Sequence, residues 1–470
     1  MTVTTAADTA ASTAQAMSHA VSGGVTLVFG LLLTALILCL ALEEKLHAKK
    51  SVIVGVFTVV CLLLSTYLGL EPFGDVKLPD GHEVAMPVYI PAIDWQVIAI
   101  IIGSGVFVDV ISRSGLFSWI AVKLTKISKG DPVRLLWLYG VMTVIFSAVL
   151  NNVTAIIIVG SLTVVSLNKL NRKSYLLPFL LVEGFLTNVG GLLTLISSVP
   201  NIIVGGTAGI EFVEFFVKSA PYVLAATALT IFMGAKIFRI RPLRTKDDKE
   251  KALHVVSAFD ENDGIASKGF FRFSVAALLA FILVIAMASV LPGINELGLG
   301  FVAMTFAVIA LLRYRSEADK FYQAVDWDLI GFFMGLFVVL HVMEHAHVLD
   351  QIGKVILWMV GTEASAFGTG ALLVASAAFS SVTDNIPLAA MLSKILASMQ
   401  TPTESPLWWS VVFGANLGGN LTPIGSASTL VAVTIMHKHG VPMSFGKFVV
   451  KALPFALCQI ALAAVYVLIF

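Results

Sequence analysis

The chain has 470 residues, of which 58% are hydrophobic and 13% are charged, and its formal net charge at pH 7 is +1. Soluble globular proteins carry about 25% charged residues, so this chain has too little polar surface to face water on every side. The near-neutral charge gives no indication of nucleic acid or an acidic substrate as a partner. The 3 cysteines are too scattered for a disulfide framework or a metal site. We therefore expect an all-α polytopic membrane protein.

In chain order, residues 1–23 are rich in Ala, Thr and Ser and are predicted to form a disordered N-terminal tail. The segments that follow are apolar over roughly the 20 residues that a membrane-spanning helix needs. The predicted spans are 24–42, 51–70, 95–112, 135–168, 184–210, 219–235, 273–295, 297–312, 329–343, 364–383, 405–436 and 452–470.

Basic residues orient these spans, because cytoplasmic loops carry an excess of Lys and Arg. Lys and Arg cluster after the first and third spans, after 135–168 and after residue 235, whereas 71–94 is acidic and is placed outside. The assignments agree only if 135–168 is a re-entrant hairpin from the cytoplasm and 364–396 a second one from the outside. The sequence thus predicts about ten transmembrane helices plus two re-entrant hairpins, with both termini outside.

The two halves of the chain share three short features in the same order, each separated from its counterpart by 228 to 233 residues. The matched segments are 93–95 with 325–327, 151–153 with 384–386, and 188–198 with 416–426. An odd number of spans separates equivalent elements, which predicts inverted repeats, the architecture of secondary transporters. The predicted domains after the tail are a first inverted repeat (24–238), a cytoplasmic linker (239–270) and a second inverted repeat (271–470).

Two Asn-x-Gly-Gly segments lie inside the uncharged runs. Paired glycines weaken a helix and free backbone carbonyls, which lipid cannot satisfy, so we expect two broken helices that line a cavity and offer oxygens to an ion. Close helix packing through small residues is the alternative. The ion-binding candidates in these segments are Asn188, Gly190, Gly191, Thr194, Ser197, Ser198, Asn416, Gly418, Gly419, Asn420, Thr422, Ser426 and Ser428.

The tips of the two predicted hairpins are also rich in oxygen. Each is expected to face the broken helix of its own repeat, where its side chains suit a hard cation such as Na+. Ordinary turn chemistry is the alternative, since Asn and Asp favour turns. The candidates at the tips are Asn151, Asn152, Thr154, Thr383, Asp384 and Asn385.

Three carboxylates fall within apolar sequence, where an unpaired charge costs several kcal/mol. Asp384, Glu183 and Asp109 are therefore candidates for proton coupling, with a structural ion pair or a position at the membrane surface as the alternative. His341 and His345 are four residues apart, as metal ligands can be, but they lie near the end of a span, and we predict no metal site other than one for Na+.

Four motifs resemble the ion transporter superfamily. They are Leu-Asn-Asn-Val-Thr at 150–154, Thr-Asn-Val-Gly-Gly at 187–191 with Ser-Val-Pro-Asn at 198–201, Thr-Asp-Asn-Ile-Pro at 383–387, and the run from 414 to 425. They are similar to the branch that holds the arsenite permeases, the NhaD-type Na+/H+ antiporters and the melanosomal P protein, with a citrate-transporter-like domain. The resemblance implies an elevator-type carrier with scaffold and transport domains, often a homodimer. P-protein-like members also carry a glutamate at the position of Glu183.

The chain departs from these relatives at two places. Relatives close to the P protein and the antiporters tend to have Asp where Asn151 stands, and antiporters tend to have an acid where Ser197 and Ser198 stand. The absence of these carboxylates is compatible with a neutral or anionic substrate.

We therefore expect an ion-coupled secondary active transporter working by alternating access, with Na+/H+ antiport as first choice and Asp384 and Glu183 as titrating groups. Efflux of arsenite or antimonite, and Na+- or H+-coupled transport of a small oxyanion or carboxylate, remain open, as does an ion channel. No nucleophile–base pair indicates an enzyme. The expected partners are the lipid bilayer of a bacterial inner membrane, a small ion and a second copy of the chain. No cofactor is expected beyond Na+ or H+ as the coupling ion.

Overall fold

The structure is a computed structural model that describes residues 21–70, 73–77, 82–314, 318–323, 325–361 and 365–469. The predicted N-terminal tail falls on residues 1–20, outside the described residues, and on the short stretch before the first helix at Gly23.

Most of the described chain is helical. The first half contains α1 (Gly23–Ala41), α2 (Glu43–Leu46), α3 (Lys50–Tyr67), α4 (Trp95–Ser112), α5 (Leu116–Ser128), α6 (Pro132–Val149), α7 (Asn152–Lys169), α8 (Leu176–Gly190), α9 (Val199–Ala208) and α10 (Phe212–Ile237). The second half contains α11 (Lys246–Ser257), α12 (Lys268–Ala286), α13 (Ile294–Arg313), α14 (Ala318–Gln323), α15 (Trp327–His345), α16 (Val348–Val360), α17 (Ala366–Ser380), α18 (Asn385–Ser398), α19 (Pro406–Gly418), α20 (Ala427–Lys438) and α21 (Phe445–Val467).

Among the described helices, 10 are long and apolar enough to cross a membrane. They are α1, α3, α4, α6, α7, α10, α12, α13, α15 and α21. The predicted class, an all-α polytopic membrane protein, is confirmed. Both arms of the first hairpin, α6 and α7, belong to this set, whereas α17 and α18 of the second hairpin are shorter apolar helices. The re-entrant path of the two hairpins and the outside position of the termini stay predictions.

The order of the helices repeats. Helices α4 to α10 have counterparts α15 to α21 in the same order, and each counterpart begins 228 to 234 residues later. Even the internal prolines correspond, with Pro221 inside α10 and Pro454 inside α21. The three sequence matches are therefore parts of a longer correspondence between whole elements.

The chain forms two compact units. The first takes the described residues up to 93 together with 331–354, and the second takes 94–330 and the described residues from 355 onward. Within the first unit α1 packs on α3, and the Thr58 hydroxyl of α3 donates to the carbonyl of Gly335 at 3.1 Å. Both units draw residues from both predicted repeats, so the units do not follow the predicted repeat boundaries. The candidate site lies in the second unit.

Several elements were not predicted. The basic segment after the third span contains α5, its counterpart α16 follows α15, and the linker contains α11. The segment 71–94, predicted to lie outside, contains two short strands, β1 (Phe73–Lys77) and β2 (Glu83–Pro87), paired antiparallel. Helices α5, α11 and α16 were not predicted because they lack the long apolar run by which membrane-spanning helices are found in a sequence.

The linker is anchored to the helices beside it. Glu261 forms ion pairs with Lys123, at 3.2 Å, and with Lys126 on α5. Asp131, which caps α6, also accepts a hydrogen bond from the backbone N–H of Leu243 at 2.8 Å. The hydrogen bond from Lys126 is the main cause that lowers the pKa of Glu261 to about 2, so Glu261 is ionised at neutral pH.

Candidate functional site

Two helices are broken at equivalent places. Helix α8 ends at Gly190 and α9 begins at Val199, while α19 ends at Gly418 and α20 begins at Ala427. A Cβ at Gly190 would lie 2.7 Å from the carbonyl oxygen of Val144 on α6, and one at Gly418 would overlap the equivalent carbonyl of α17. Glycine is needed at both positions because each hairpin arm approaches its broken helix backbone to backbone.

In the first repeat, two hydrogen bonds join the hairpin to its broken helix. The Ser147 hydroxyl donates to the carbonyl of Thr187 at 2.6 Å, and the Thr194 hydroxyl donates back to the carbonyl of Ala148 at 2.7 Å. The hairpin thus lies against the broken helix of its own repeat.

The second repeat has the same pair of bonds. Ser380 donates to the carbonyl of Ala415 at 2.6 Å, and Thr422 donates to the carbonyl of Ser381 at 2.5 Å. Both repeats therefore use a Ser on the hairpin and a Thr in the interrupted segment to bond the hairpin to the broken helix.

The carbonyls freed in the first interruption already have partners. The Ser197 hydroxyl donates to the carbonyls of Gly191 and Thr194, each at 2.7 Å. The Asn201 amide donates to the same two carbonyls, at 2.6 Å and 2.9 Å. In this arrangement the carbonyls that the sequence assigned to an ion accept hydrogen bonds from the chain itself, so an ion that bound there would have to replace these donors.

The two broken helices are joined by reciprocal hydrogen bonds. Ser426 donates to Oδ1 of Asn188 at 2.9 Å, and Ser198, the counterpart of Ser426, donates to Oδ1 of Asn416 at 2.7 Å. All four side chains are buried. The Asn-x-Gly-Gly asparagines thus tie one repeat to the other.

Asn188 is the most connected of these residues and is fully buried. Its Oδ1 also accepts from Ser428 at 3.2 Å and from the amide of Asn152 at the first hairpin tip at 3.3 Å, and its own amide donates to Oδ1 of Asn420 at 2.8 Å. Candidates from the first tip and both broken helices therefore meet at this side chain.

Asn420 extends the cluster to residues that the sequence did not indicate. Its amide donates to the side-chain oxygen of Gln459 at 2.8 Å, and the Gln459 amide donates to the hydroxyl of Thr230 at 2.8 Å. Gln459 and Thr230 lie on α21 and α10, which correspond to each other. A glutamine or threonine within a span gives no signal by itself, and the repeat adds none, since the counterparts of Thr230 and Gln459 in the other repeat are Ala463 and Ala226.

The remaining tip candidates have different roles. Oδ1 of Asn151 accepts from the backbone N–H of Thr154 at 2.7 Å, and Oδ1 of Asp384 accepts from the N–H of Ile386 at 3.3 Å, so both residues cap the following helix. The Thr383 hydroxyl donates to the carbonyl of Phe379 at 3.0 Å, and Asn385 is buried.

The carboxylates differ in their surroundings. Glu183 is fully buried, and its Oε1 accepts from the Thr163 hydroxyl at 2.5 Å. Its Oε2 is buried without a hydrogen-bond partner among the described residues. Asp109 instead pairs with Arg113 one turn later at 2.9 Å, which is the structural ion pair considered as its alternative role. Glu183 lies about 7.5 Å along α8 from Asn188, on the side that faces α7.

A cavity of about 330 Å³ reaches the first interruption at Leu195. It is lined mainly by α4, α9, α12 and α13, and its charged lining residues are Asp94 and Glu211. Both are acidic, so the field in this cavity favours cations over anions.

The family model described as "Citrate transporter" matches residues 37–414, most of the chain. The chain belongs to this citrate transporter family. This confirms the predicted resemblance to the ion transporter superfamily. It also establishes the chain as an integral, multi-pass transporter and not an enzyme.

The chain is also similar to individual proteins of several organisms. An uncharacterized transporter of Mycobacterium tuberculosis is 30% identical over 80% of this chain and 86% of its own length, and a 46 kDa membrane protein of Mycobacterium leprae is 29% identical over the same shares. The human P protein is 23% identical over 91% of this chain and 60% of its own length.

Two solved transporters share the fold of this family member. The YdaH transporter of Alcanivorax borkumensis superposes with a TM-score of 0.58 at 12% identity, over 90% of this chain and 98% of that one. MtrF of Neisseria gonorrhoeae, described as one of a class of antimetabolite efflux pumps, gives a TM-score of 0.57 at 12% identity, over 90% of this chain and 95% of its own. Identities this low support the fold alone.

Proposed function

We propose that this citrate transporter family member exchanges a small monovalent cation, Na+ in the first place, for protons by alternating access. The observation that carries the proposal is Glu183, a fully buried carboxyl group with one oxygen unpartnered among the described residues.

A carboxylate withdrawn from water costs several kcal/mol unless an opposite charge or hydrogen bonds compensate it. Thr163 supplies one hydrogen bond, to Oε1. The rest of the cost of burying this negative charge can be offset in two ways, by a proton on the carboxyl group or by a cation that approaches it. A group that alternates between these two conditions couples the movement of a proton to that of a cation.

The polar cluster supports a cation as the transported species. The side chains that meet around Asn188 are amides and hydroxyls, and Asp384 caps α18 at the second hairpin tip. Oxygen ligands of this kind suit hard cations. The two acidic residues of the neighbouring cavity, Asp94 and Glu211, favour the same sign of charge.

A carboxylate such as citrate is the second candidate, and the description of the family model favours it. Helices α9 and α20 begin beside the polar cluster, directly after Ser198 and Ser426, and helix N-termini attract anions. The amides and hydroxyls of the cluster carry no positive charge, so Na+ would have to accompany the anion.

The proposal includes an elevator-type movement of a homodimer. Each hairpin is bonded to its own broken helix, and Ser426–Asn188 and Ser198–Asn416 bond the two broken helices to each other. Helices α6–α9 and α17–α20 are therefore suited to move as one body, as a transport domain must.

The test uses purified protein in liposomes that contain a pH-sensitive dye and have an acidic lumen. Na+, Li+, K+, arsenite and citrate are added in turn. We expect lumenal alkalinisation with Na+ or Li+ and no response to citrate or arsenite. A response to citrate alone would replace the proposal with the carboxylate candidate, and a response to arsenite alone would make the protein an arsenite permease.

A further inference from the structure

A series of buried hydroxyl groups begins at Glu183 and crosses three helices. Thr163 on α7 donates to Oε1 of Glu183 at 2.5 Å. Ser166 lies three residues further along α7, on the same face, and its hydroxyl is 2.8 Å from the hydroxyl of Tyr139 on α6.

The series continues from Tyr139 to α5. The Tyr139 hydroxyl is 2.5 Å from the hydroxyl of Thr125, which lies three residues before the end of α5 at Ser128. Tyr139 and Thr163 are fully buried, and Ser166 and Thr125 are 1% exposed. Hydroxyl groups that each donate and accept are the components of a proton-conducting chain.

We propose that Thr163, Ser166, Tyr139 and Thr125 form the route by which protons travel between Glu183 and the solvent at the basic end of α5. This inference rests on the proposed function, since it presumes that Glu183 exchanges protons. The basic end of α5 is predicted to face the cytoplasm, so the route gives Glu183 access to cytoplasmic protons.

The proposed transfer moves one proton from hydronium in the solvent to ionised Glu183. Thr163 passes its hydroxyl proton to Oε1 of Glu183 and regains one from a water molecule, which the route requires between Thr163 and Ser166, one helical turn apart. Ser166 in turn supplies that water and regains a proton from Tyr139, and Tyr139 regains one from Thr125. The Thr125 hydroxyl, which donates to the carbonyl of Ala121 at 2.8 Å, has to turn toward Tyr139 for this step, and it then receives a proton from hydronium at the end of α5. Each O–H bond that breaks in the series is replaced on the same oxygen, Glu183 gains one proton, and hydronium becomes water.

The charged groups at the outer end are those of α5 and the linker. Lys123 and Lys126 are both paired with Glu261, whose low pKa keeps it ionised. Glu261 therefore offsets one of the two positive charges and, because it stays ionised, does not itself carry protons. At the inner end, Tyr139 is the titratable member of the series, and its hydroxyl contacts those of Ser166 and Thr125.

The test compares Tyr139→Phe with Tyr222→Phe in liposomes. Both tyrosines are buried, but the Tyr222 hydroxyl donates to a backbone carbonyl, that of Gln459 at 3.0 Å, outside the series. Two rates are measured, Na+-driven proton flux and exchange of 22Na+ for Na+ at equal pH, which needs no net proton movement. Tyr139→Phe is expected to slow the proton flux on the order of tenfold and leave the exchange unchanged, whereas Tyr222→Phe changes neither.

A second pair of variants, at Thr163, tests whether the slower proton flux comes from altered packing alone. Thr163→Val is expected to slow proton flux as Tyr139→Phe does, and Thr163→Ser to restore it. Proton flux in Tyr139→Phe equal to that of the wild type overturns the route alone. Loss of 22Na+ exchange together with proton flux in both Tyr139→Phe and Thr163→Val also overturns it. Absence of Na+-driven proton flux in the wild type overturns the proposed function and the route together.

Discussion

Asn188 illustrates how much a single amide side chain contributes to this site. An amide oxygen has two lone pairs and an amide nitrogen two protons, and Asn188 uses them to contact the first hairpin tip through Asn152 and the second broken helix through Ser426, Ser428 and Asn420. Its position inside a span was visible in the sequence. Its partners were not, because they lie more than 200 residues away along the chain, with the exception of Asn152.

Asp384 offers a substitution that separates charge from helix capping. Asp384→Asn keeps an oxygen that can accept from the backbone N–H of Ile386, since Asn caps helices about as well as Asp, and it makes the second tip resemble the first. We expect the protein to remain folded and Na+-driven proton flux to fall by at least about tenfold, because the tip loses its negative charge. The flux is measured with the pH dye, and folding by thermal unfolding in detergent.

The matched control is Asn151→Asp, which adds a charge at the equivalent cap of the first tip. It is expected to retain transport. If Asp384→Asn transports Na+ and protons with the wild-type dependence on pH, Asp384 has no role in coupling.

Some of the site residues could have been found from the sequence and others could not. Ser147 and Ser380 occupy equivalent positions in the repeats, as do Asn201 and Thr429, so an alignment of the two halves contains their signal. The contribution of Gln459 to the site follows only from the structure, in which its side-chain oxygen accepts a hydrogen bond from Asn420. A lone polar residue in an apolar run has no partner until the helices are assembled.

At the scale of elements, each hairpin packs on its broken helix through a glycine. Gly418→Ala places a Cβ against the backbone of α17, and Gly190→Ala does the same against α6. Because a backbone contact cannot move aside as a side chain can, each change is expected to lower the free energy of unfolding by about 1–3 kcal/mol. Gly206→Ala on α9, where a Cβ meets no atom within 4 Å, is the control and is expected to leave stability unchanged or slightly raised.

Thermal unfolding in one detergent under one set of conditions measures all three variants. Equal midpoints for Gly206→Ala and Gly418→Ala would show that the hairpin and the broken helix do not pack closely.

The long apolar helices were predicted well and the short ones poorly. A membrane-spanning helix is recognised in a sequence by a run of about 20 apolar residues, as in α1, α12 and α21. Helices α5 and α16 are only 13 residues long, and charged residues interrupt their apolar residues: two Lys in α5, and an Asp and a Lys in α16. Such segments are typical of loops as well as of helices, and their packing against neighbouring helices decides between the two.

At the scale of the whole molecule, composition and the repeat were sufficient for the class of protein. The low content of charged residues indicated a membrane protein, and the inverted repeat indicated a secondary transporter independently of any family resemblance. The two compact units could not be predicted, since the first joins residues before 94 to residues 331–354, from distant parts of the chain. That division depends on contacts between helices and not on the order of the spans.

During transport, Glu183 is proposed to alternate between a protonated state and an ionised state that a cation compensates. The most direct measurement is Na+-driven proton flux in liposomes for Glu183→Gln, with Glu250→Gln, an exposed residue of α11, as the control. Glutamine preserves the size of the side chain and an oxygen for Thr163 but cannot titrate. Our account predicts that Glu183→Gln abolishes proton flux at every pH while the protein stays folded, and that Glu250→Gln behaves as the wild type. Proton flux in Glu183→Gln with the rate and pH dependence of the wild type would contradict it.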